Sequence, residues 1–249
     1  MGRSVIVVAH PDDEILWLSS VMAKADPVIL CFGAPYGNPQ KAENRARAVA
    51  HLGLPRLVDL ALPESGARLQ ADWANPRLTP TGIAISNQDA QERYDANFSL
   101  LLEKLRPILS NATDVYTHNP WGEYGHTEHI QVYRAVKTLQ AELHFTVWFS
   151  NYAAPQTHEL ARQLGQQPLW QEKQTLPTDP RIAHRLRKIY QTYKAWTWSN
   201  WHKWPVTETL YSQPHGPTES WHNMKNEILY NARGLRLWRP TSAAKWRLG

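Results

Sequence analysis

Along the first 150 residues, apolar positions come in two alternating patterns. Short, near-continuous runs at residues 4–9 (SVIVVA), 27–32, 56–60, 114–117 (DVYT) and 144–149 (HFTVWF) have the length and β-branched or aromatic content of strands. Between them the apolar positions take helical spacing: from the end of the first strand to about residue 25, over 40–52, over 88–106, and again to about residue 140. The third of these puts Phe98, Leu101, Leu102 and Leu105 on one face, with Pro107 closing it; the fourth carries Ile130, Val132, Tyr133, Val136 and Leu139. Such alternation predicts an α/β fold with a mostly parallel sheet flanked by helices. Residues 63–80 break the pattern. They form a long polar segment with Glu64, Ser65, Gly66 and Arg68, and a loop of that length reads as a wall of a substrate cleft, with Arg68 as its candidate substrate contact.

Two polar clusters follow two of these strands. Ala9-His10-Pro11-Asp12-Asp13-Glu14 ends the first, and Gly125-His126-Thr127-Glu128-His129 comes shortly after the strand at 114–117. Open α/β sheets bind ligands at the carboxyl ends of their strands, so the two clusters predict one shared site. His10 and Asp13 offer an imidazole and a carboxylate, and the second cluster adds another imidazole. That is the two-histidine, one-carboxylate set used by catalytic zinc, with a fourth position left for water. An all-thiolate site is excluded, because the one cysteine, Cys31, lies in the second strand as a core residue. Pro11 fixes the backbone after the strand and places Asp12 and Asp13 near a helix start, where carboxylates are favoured. Adjacent helical residues point about 100° apart, so one carboxylate is free to bind metal while its neighbour faces the water. His126 and His129 share a face if Thr127 opens a helix. Glu14 and Glu128 stand as partners of these groups, and His118 reads as a structural residue.

At these residues the chain resembles the LmbE-like or PIG-L zinc-dependent N-acetylglucosaminyl deacetylases. The resemblance rests on AHPDDE at residues 9–14 and THNPWGEYGHTEH at 117–129, and covers roughly residues 3–150. It implies a Rossmann-like fold and a metal held by His10, Asp13 and His129. It also implies Asp12 as general base and His126 as stabiliser of the transition state. The chain departs from the family at Pro63-Glu64-Ser65-Gly66, where many members have a Pro-Asp-Gly turn, and at Ile15-Leu16-Trp17-Leu18, where many have small residues. Neither departure touches an expected ligand; both bear on substrate identity.

Charge changes the picture of the remainder. The net charge of +5 conceals a basic segment, residues 161–249, with 14 Lys+Arg against 5 Asp+Glu, and eight of the twelve tryptophans: Trp170, Trp196, Trp198, Trp201, Trp204, Trp221, Trp238 and Trp246. Ile182, Leu186, Ile189, Tyr193 and Trp196 recur with helical spacing. The expected organisation is a catalytic domain over 1–155 and a helical, basic, Trp-rich extension over 156–249, packed on the core or part of the same domain. Basic residues interleaved with tryptophan also suit a phosphate-bearing partner or a membrane interface.

The first strand begins almost at Met1, no apolar run approaches the roughly 18 residues of a membrane span, and a single cysteine forbids an intrachain disulfide. These features lead us to expect a cytoplasmic enzyme. The sequence thus predicts a zinc hydrolase, with other divalent metals compatible, that removes an acetyl group from an N-acetylated amino sugar or conjugate, phosphate- or lipid-linked carriers included. The rival readings are a non-catalytic binding protein on the same fold and a basic module for nucleic acid or anionic surfaces. No nucleic-acid motif accompanies the charge. No Gly-x-Gly-x-x-Gly follows the first strand either, which argues against a dinucleotide site.

Overall fold

The computed structural model describes residues 2–216 and 220–230. Seven strands form one sheet: β1 (Arg3–Val8), β2 (Val28–Ala34), β3 (Leu57–Pro63), β4 (Ala112–Thr117), β5 (Thr146–Ser150), β6 (Lys173–Pro177) and β7 (Thr207–Gln213). Their order is β6-β7-β5-β4-β1-β2-β3. The five strands from β5 to β3 are parallel, whereas β7 pairs antiparallel with β5 and β6 antiparallel with β7. The chain moves outward from β1 to β3 and then returns to place β4 on the other side of β1. The crevice between β1 and β4 is therefore the switch point at which open α/β sheets bind ligands.

The hydrophobic run of β1 is explained by burial on both sides of the sheet. Val5, Val7 and Ala9 join the core beneath α3 (Gln88–Leu109), α4 (Thr127–Leu143) and α5 (His158–Gly165). Ile6 and Val8 face the opposite core, with α1 (Asp13–Trp17), α2 (Pro39–Ala50) and α6 (Pro180–Thr192). A strand covered on both faces has no polar face to alternate with, hence its continuous pattern. Cys31 is fully buried in β2, as its position suggested.

Three boundaries differ from expectation. The first helix ends at Trp17, and a tight turn at Ser19–Val21 replaces its continuation towards residue 25. Glu208 of β7 draws the chain aside there, accepting from Ser19 Oγ (2.7 Å) and the Ser20 N–H (2.9 Å). At the end of α3 the helix runs through Pro107 to Leu109; only one helical hydrogen bond is lost, and Ser110 Oγ donates to the Pro107 carbonyl (3.0 Å). Residues after 156 supply strands β6 and β7 in addition to the expected helices. Asp179 caps α6 by accepting from the Arg181 and Ile182 N–H groups, and Ala183, Leu186 and Tyr190 bury its inner face. Trp238 and Trp246 lie outside the described residues. Among the described residues, no helix is long and apolar enough to cross a membrane.

Candidate metal centre and active site

The first cluster forms where β1 leaves the sheet. The His10 N–H donates to Asp13 Oδ2 (2.8 Å), and Trp17 Nε1, one turn along α1, donates to Asp13 Oδ1 (3.2 Å), so both oxygens of Asp13 are oriented. Asp12 precedes the helix with φ 95° and ψ −17°, a left-handed conformation that costs an L-residue roughly 1–2 kcal/mol. Its carboxylate does not cap α1. Oδ2 accepts from the Thr197 N–H (2.8 Å) and Thr197 Oγ (2.7 Å), while Oδ1 is buried without a partner. The left-handed turn, rather than helical periodicity alone, thus sends the two neighbouring carboxylates in different directions.

The second cluster is set by β4 and the loop after it. His118 Nε2 accepts the Ala9 N–H (2.8 Å) and its Nδ1 faces Glu123 Oε2 (3.2 Å); with both nitrogens engaged, His118 pins β4 to β1. Asn119 and Glu123 then exchange backbone-to-side-chain hydrogen bonds of 2.7 and 3.0 Å. The turn between them needs glycine at 122, because φ is +75° and a Cβ would lie 2.9 Å from the His126 carbonyl oxygen. His126 precedes α4 and His129 sits in its first turn, their rings 5.0 Å apart and inclined by 17°. The His10 ring centroid lies 4.3 Å from that of His126 and 5.4 Å from that of His129.

The charges around these rings are strongly biased. Burial opposes a cation at His129, yet Asp13 and Glu123 outweigh it and push this histidine up to about 10. Burial likewise opposes ionisation of Glu123, but His118 and His129 hold it down to about 2. Asp13 is held well below the usual carboxylate range by His129 and His10 despite its burial. At Asp12, burial and the charge of Asp13 win over the bonds from Thr197 and raise it to about 7. Burial and the neighbouring His10 bring His126 down to about 3. Glu128 Oε2 lies 3.0 Å from His126 Nδ1 and is itself steadied by Ser65 Oγ, which donates to Oε1 at 2.6 Å.

These residues fit a divalent metal. His10 Nε2 and His129 Nε2 are buried with no hydrogen-bond partner. His129 Nδ1 lies 2.7 Å from Glu123 Oε2, which directs its Nε2 towards Asp13 Oδ2 at 3.2 Å; two lone pairs face each other there unless a proton or a cation intervenes. Asp13 Oδ2 is also 3.1 Å from His10 Nδ1. The 3.2 Å spacing is close to the roughly 3.3 Å edge of a tetrahedron with zinc–ligand bonds of 2.0–2.1 Å. Two overlapping sets have donor atoms within 4.8 Å of one another, His10–His126–His129 and Asp13–His118–His129. His118 is already engaged on both nitrogens, and His129 is common to both sets.

Further groups surround the site, and of these Glu123, Arg45 and Tyr190 escaped sequence reasoning. Glu123 lay inside the second motif, but one loop carboxylate gives no signal of its own. Glu64, in the polar segment after β3, pairs with buried Arg45 of α2 (2.6 Å) and approaches His10 Nε2 (3.5 Å). Glu14 accepts the Asp12 N–H (3.0 Å) and the Tyr190 hydroxyl of α6 (2.7 Å). Arg68 stands 5.9 Å from the Tyr124 ring, and Tyr124 packs 5.2 Å from His129, which puts Arg68 at the margin of the centre. Trp17, Tyr124 and Trp198 contact one another with centroids 4.9–5.8 Å apart and form an aromatic wall beside the histidines.

The PIG-L family, described as GlcNAc-PI de-N-acetylase, matches residues 5–140. A 1D-myo-inositol 2-acetamido-2-deoxy-alpha-D-glucopyranoside deacetylase of Segniliparus rotundus is 31% identical over 183 residues, 61% of this chain and 54% of the relative. The chain thus spans about half the length of that curated relative. Among solved structures, the deacetylase–teicoplanin complex of teicoplanin biosynthesis superposes with a TM-score of 0.55 at 15% identity, covering 84% of this chain and 97% of the other. The zinc-inhibited form of teicoplanin deacetylase Orf2 gives 0.53 at 15% identity with the same coverage. At that identity the structural likeness speaks to the fold. The family match, which extends over more than half the chain and includes both polar clusters, carries the assignment: this protein belongs to the PIG-L family.

Proposed function

We propose that this protein is a metal-dependent N-deacetylase that hydrolyses the acetamido group of an amino sugar or glycoconjugate. The observation that carries the reading is the gathering of His10, Asp13, His126 and His129 from segments over a hundred residues apart into one buried cluster, with Asp12 beside it. Family membership and the named activity of the Segniliparus relative support it. In this reading His10, Asp13 and His129 hold one divalent ion, zinc in the simplest case, although cobalt, iron and manganese suit the same donors. Such an ion, when bound, makes water acidic near neutral pH and polarises a carbonyl.

The side chains supply the remaining steps. Asp12 accepts through Oδ1 the proton of the water that attacks the amide carbon; its Oδ2 is already occupied by Thr197. His126 faces the oxygen on which negative charge develops, and the Glu128 carboxylate beside its Nδ1 favours a proton on the ring as that charge grows. The C–N bond then breaks, a proton from Asp12 or His126 goes to the leaving amine, and acetate and the free amine result. Trp17, Tyr124 and Trp198 offer apolar faces to a sugar ring, and Arg68 offers a cation to a polar or phosphate-bearing aglycone.

Metal analysis of the purified protein, followed by acetate-release assays over a panel of N-acetylated amino sugars and their conjugates, tests the proposal. One divalent ion per chain and acetate release that a chelator abolishes are expected. A metal-free preparation that binds no added zinc, or a metal-loaded one that releases no acetate from any member of the panel, overturns it.

A further inference from the structure

Asp12 is braced by a part of the chain that lies beyond residues 5–140, the span of the family match. Both hydrogen bonds to Asp12 Oδ2 come from one residue, Thr197, through its N–H (2.8 Å) and its hydroxyl (2.7 Å). The backbone of Asp12 is tied to the same region by a relay: its N–H donates to Glu14 Oε2 (3.0 Å), and Glu14 Oε1 accepts the hydroxyl of Tyr190 (2.7 Å). Thr197 is exposed, whereas Asp12 is only 1% exposed, so this threonine caps a buried carboxylate at its solvent side.

The segment that carries Thr197 is itself well fixed. Tyr190 and Ala195 are fully buried on either side of the turn after α6, and the Ala195 N–H donates to the Tyr190 carbonyl (2.7 Å). Trp198, the next residue, packs edge-on against Trp17 (5.5 Å) and Tyr124 (4.9 Å), and Trp204 Nε1 donates to the Ile15 carbonyl. Two donors on Oδ2 fix the carboxylate on that side and leave Oδ1 buried and unpartnered.

We propose that Thr197 is a positioning residue: by fixing Asp12 Oδ2 it orients Oδ1 for proton transfer, so that the segment after α6 completes the catalytic centre. The inference rests on the deacetylase reading above. It assigns a reason for the threonine hydroxyl in particular, since valine has nearly the same shape and keeps the backbone N–H but cannot donate from its side chain.

The test compares Thr197→Val and Thr197→Ser, in the full chain loaded with zinc, on whichever N-acetylated sugar the wild type hydrolyses. Thr197→Val should lower kcat about 10- to 100-fold, the size of one hydrogen bond to a charged group, with KM within about twofold and bound zinc unchanged. Thr197→Ser should restore kcat to within about threefold of wild type, because the serine hydroxyl makes the same bond. The valine variant is then built on an Asp12→Asn background, where no carboxylate remains to be aimed, and its effect on the residual rate should vanish. Unchanged kcat in Thr197→Val, failure of serine to rescue, or an equal loss on the Asp12→Asn background each overturns the inference. A wild type that hydrolyses nothing in the panel overturns the deacetylase reading instead, and the two failures are thereby separated.

Discussion

The two sides of the sheet are built on different terms. From β5 to β3 the strands are parallel, buried on both faces by helices, and joined by crossovers whose loops emerge at one edge. On the other side, β6 and β7 are antiparallel, and β6 alternates exposed and half-buried residues, as a strand with one wet face does. The parallel side delivers chemistry through loops that start at strand ends, and His10, Asp12, Asp13, His126 and His129 all belong to it. The antiparallel side gives the centre no strand residue. It contributes instead through α6 and the turn after it, where Tyr190 and Thr197 reach Glu14 and Asp12. One region supplies the two polar clusters, and the other adds hydrogen bonds to Glu14 and Asp12 from far along the chain.

That division is open to attack, beginning with the largest effect. His10→Ala, Asp13→Ala and His129→Ala should each lose bound metal and drop acetate release by more than about 10³-fold, since the metal contributes several kcal/mol to the transition state. Metal content by elemental analysis on folded variants checks this, and full occupancy in any one of them removes that residue from the ligand set. Asp12→Asn should keep its metal and lose about 10²- to 10⁴-fold in kcat. Near-wild-type turnover in that variant would assign the proton to another carboxylate, Glu14 or Glu128.

Glu123→Gln separates holding from reacting within the parallel side itself. The carboxylate that faces His129 Nδ1 at 2.7 Å should matter for metal affinity, with a loss of about 10- to 100-fold in competition with a chromogenic chelator. Unchanged affinity would make Glu123 a loop-folding residue only. The smallest effect concerns the basic segment. Arg185 donates to the Leu52 carbonyl (2.8 Å) and Arg187 to the His202 carbonyl (3.0 Å), so these two cations tie α6 to its surroundings. Arg185→Ala should cost about 1 kcal/mol in denaturant unfolding and leave KM for an anionic sugar unchanged. A salt-sensitive rise in that KM would instead favour recruitment of a phosphate-bearing substrate by this segment.

What was readable in the sequence was local. The run SVIVVA announced a doubly buried strand because burial on both faces removes the period-two signal. The two polar clusters announced a site because each follows a strand within a few residues, and the sheet's connectivity brings strand ends together. The same logic failed where a distant residue decided a local outcome. The first helix stops at Trp17 because Glu208, nearly two hundred residues away, takes the donors of Ser19 and Ser20. The direction of Asp12 follows from Thr197 and from a left-handed φ that the neighbouring residues do not announce.

The sequence by itself therefore determined the fold class and the two polar clusters that the sheet brings together, since periodicity and motif spacing are properties of contiguous residues. Only the tertiary structure decided which nitrogen of each histidine is already engaged, which oxygen of Asp12 is free, and which part of the chain holds it. Those are facts about hydrogen-bond partners far apart in sequence, and a buried polar group takes its state from the partners that surround it.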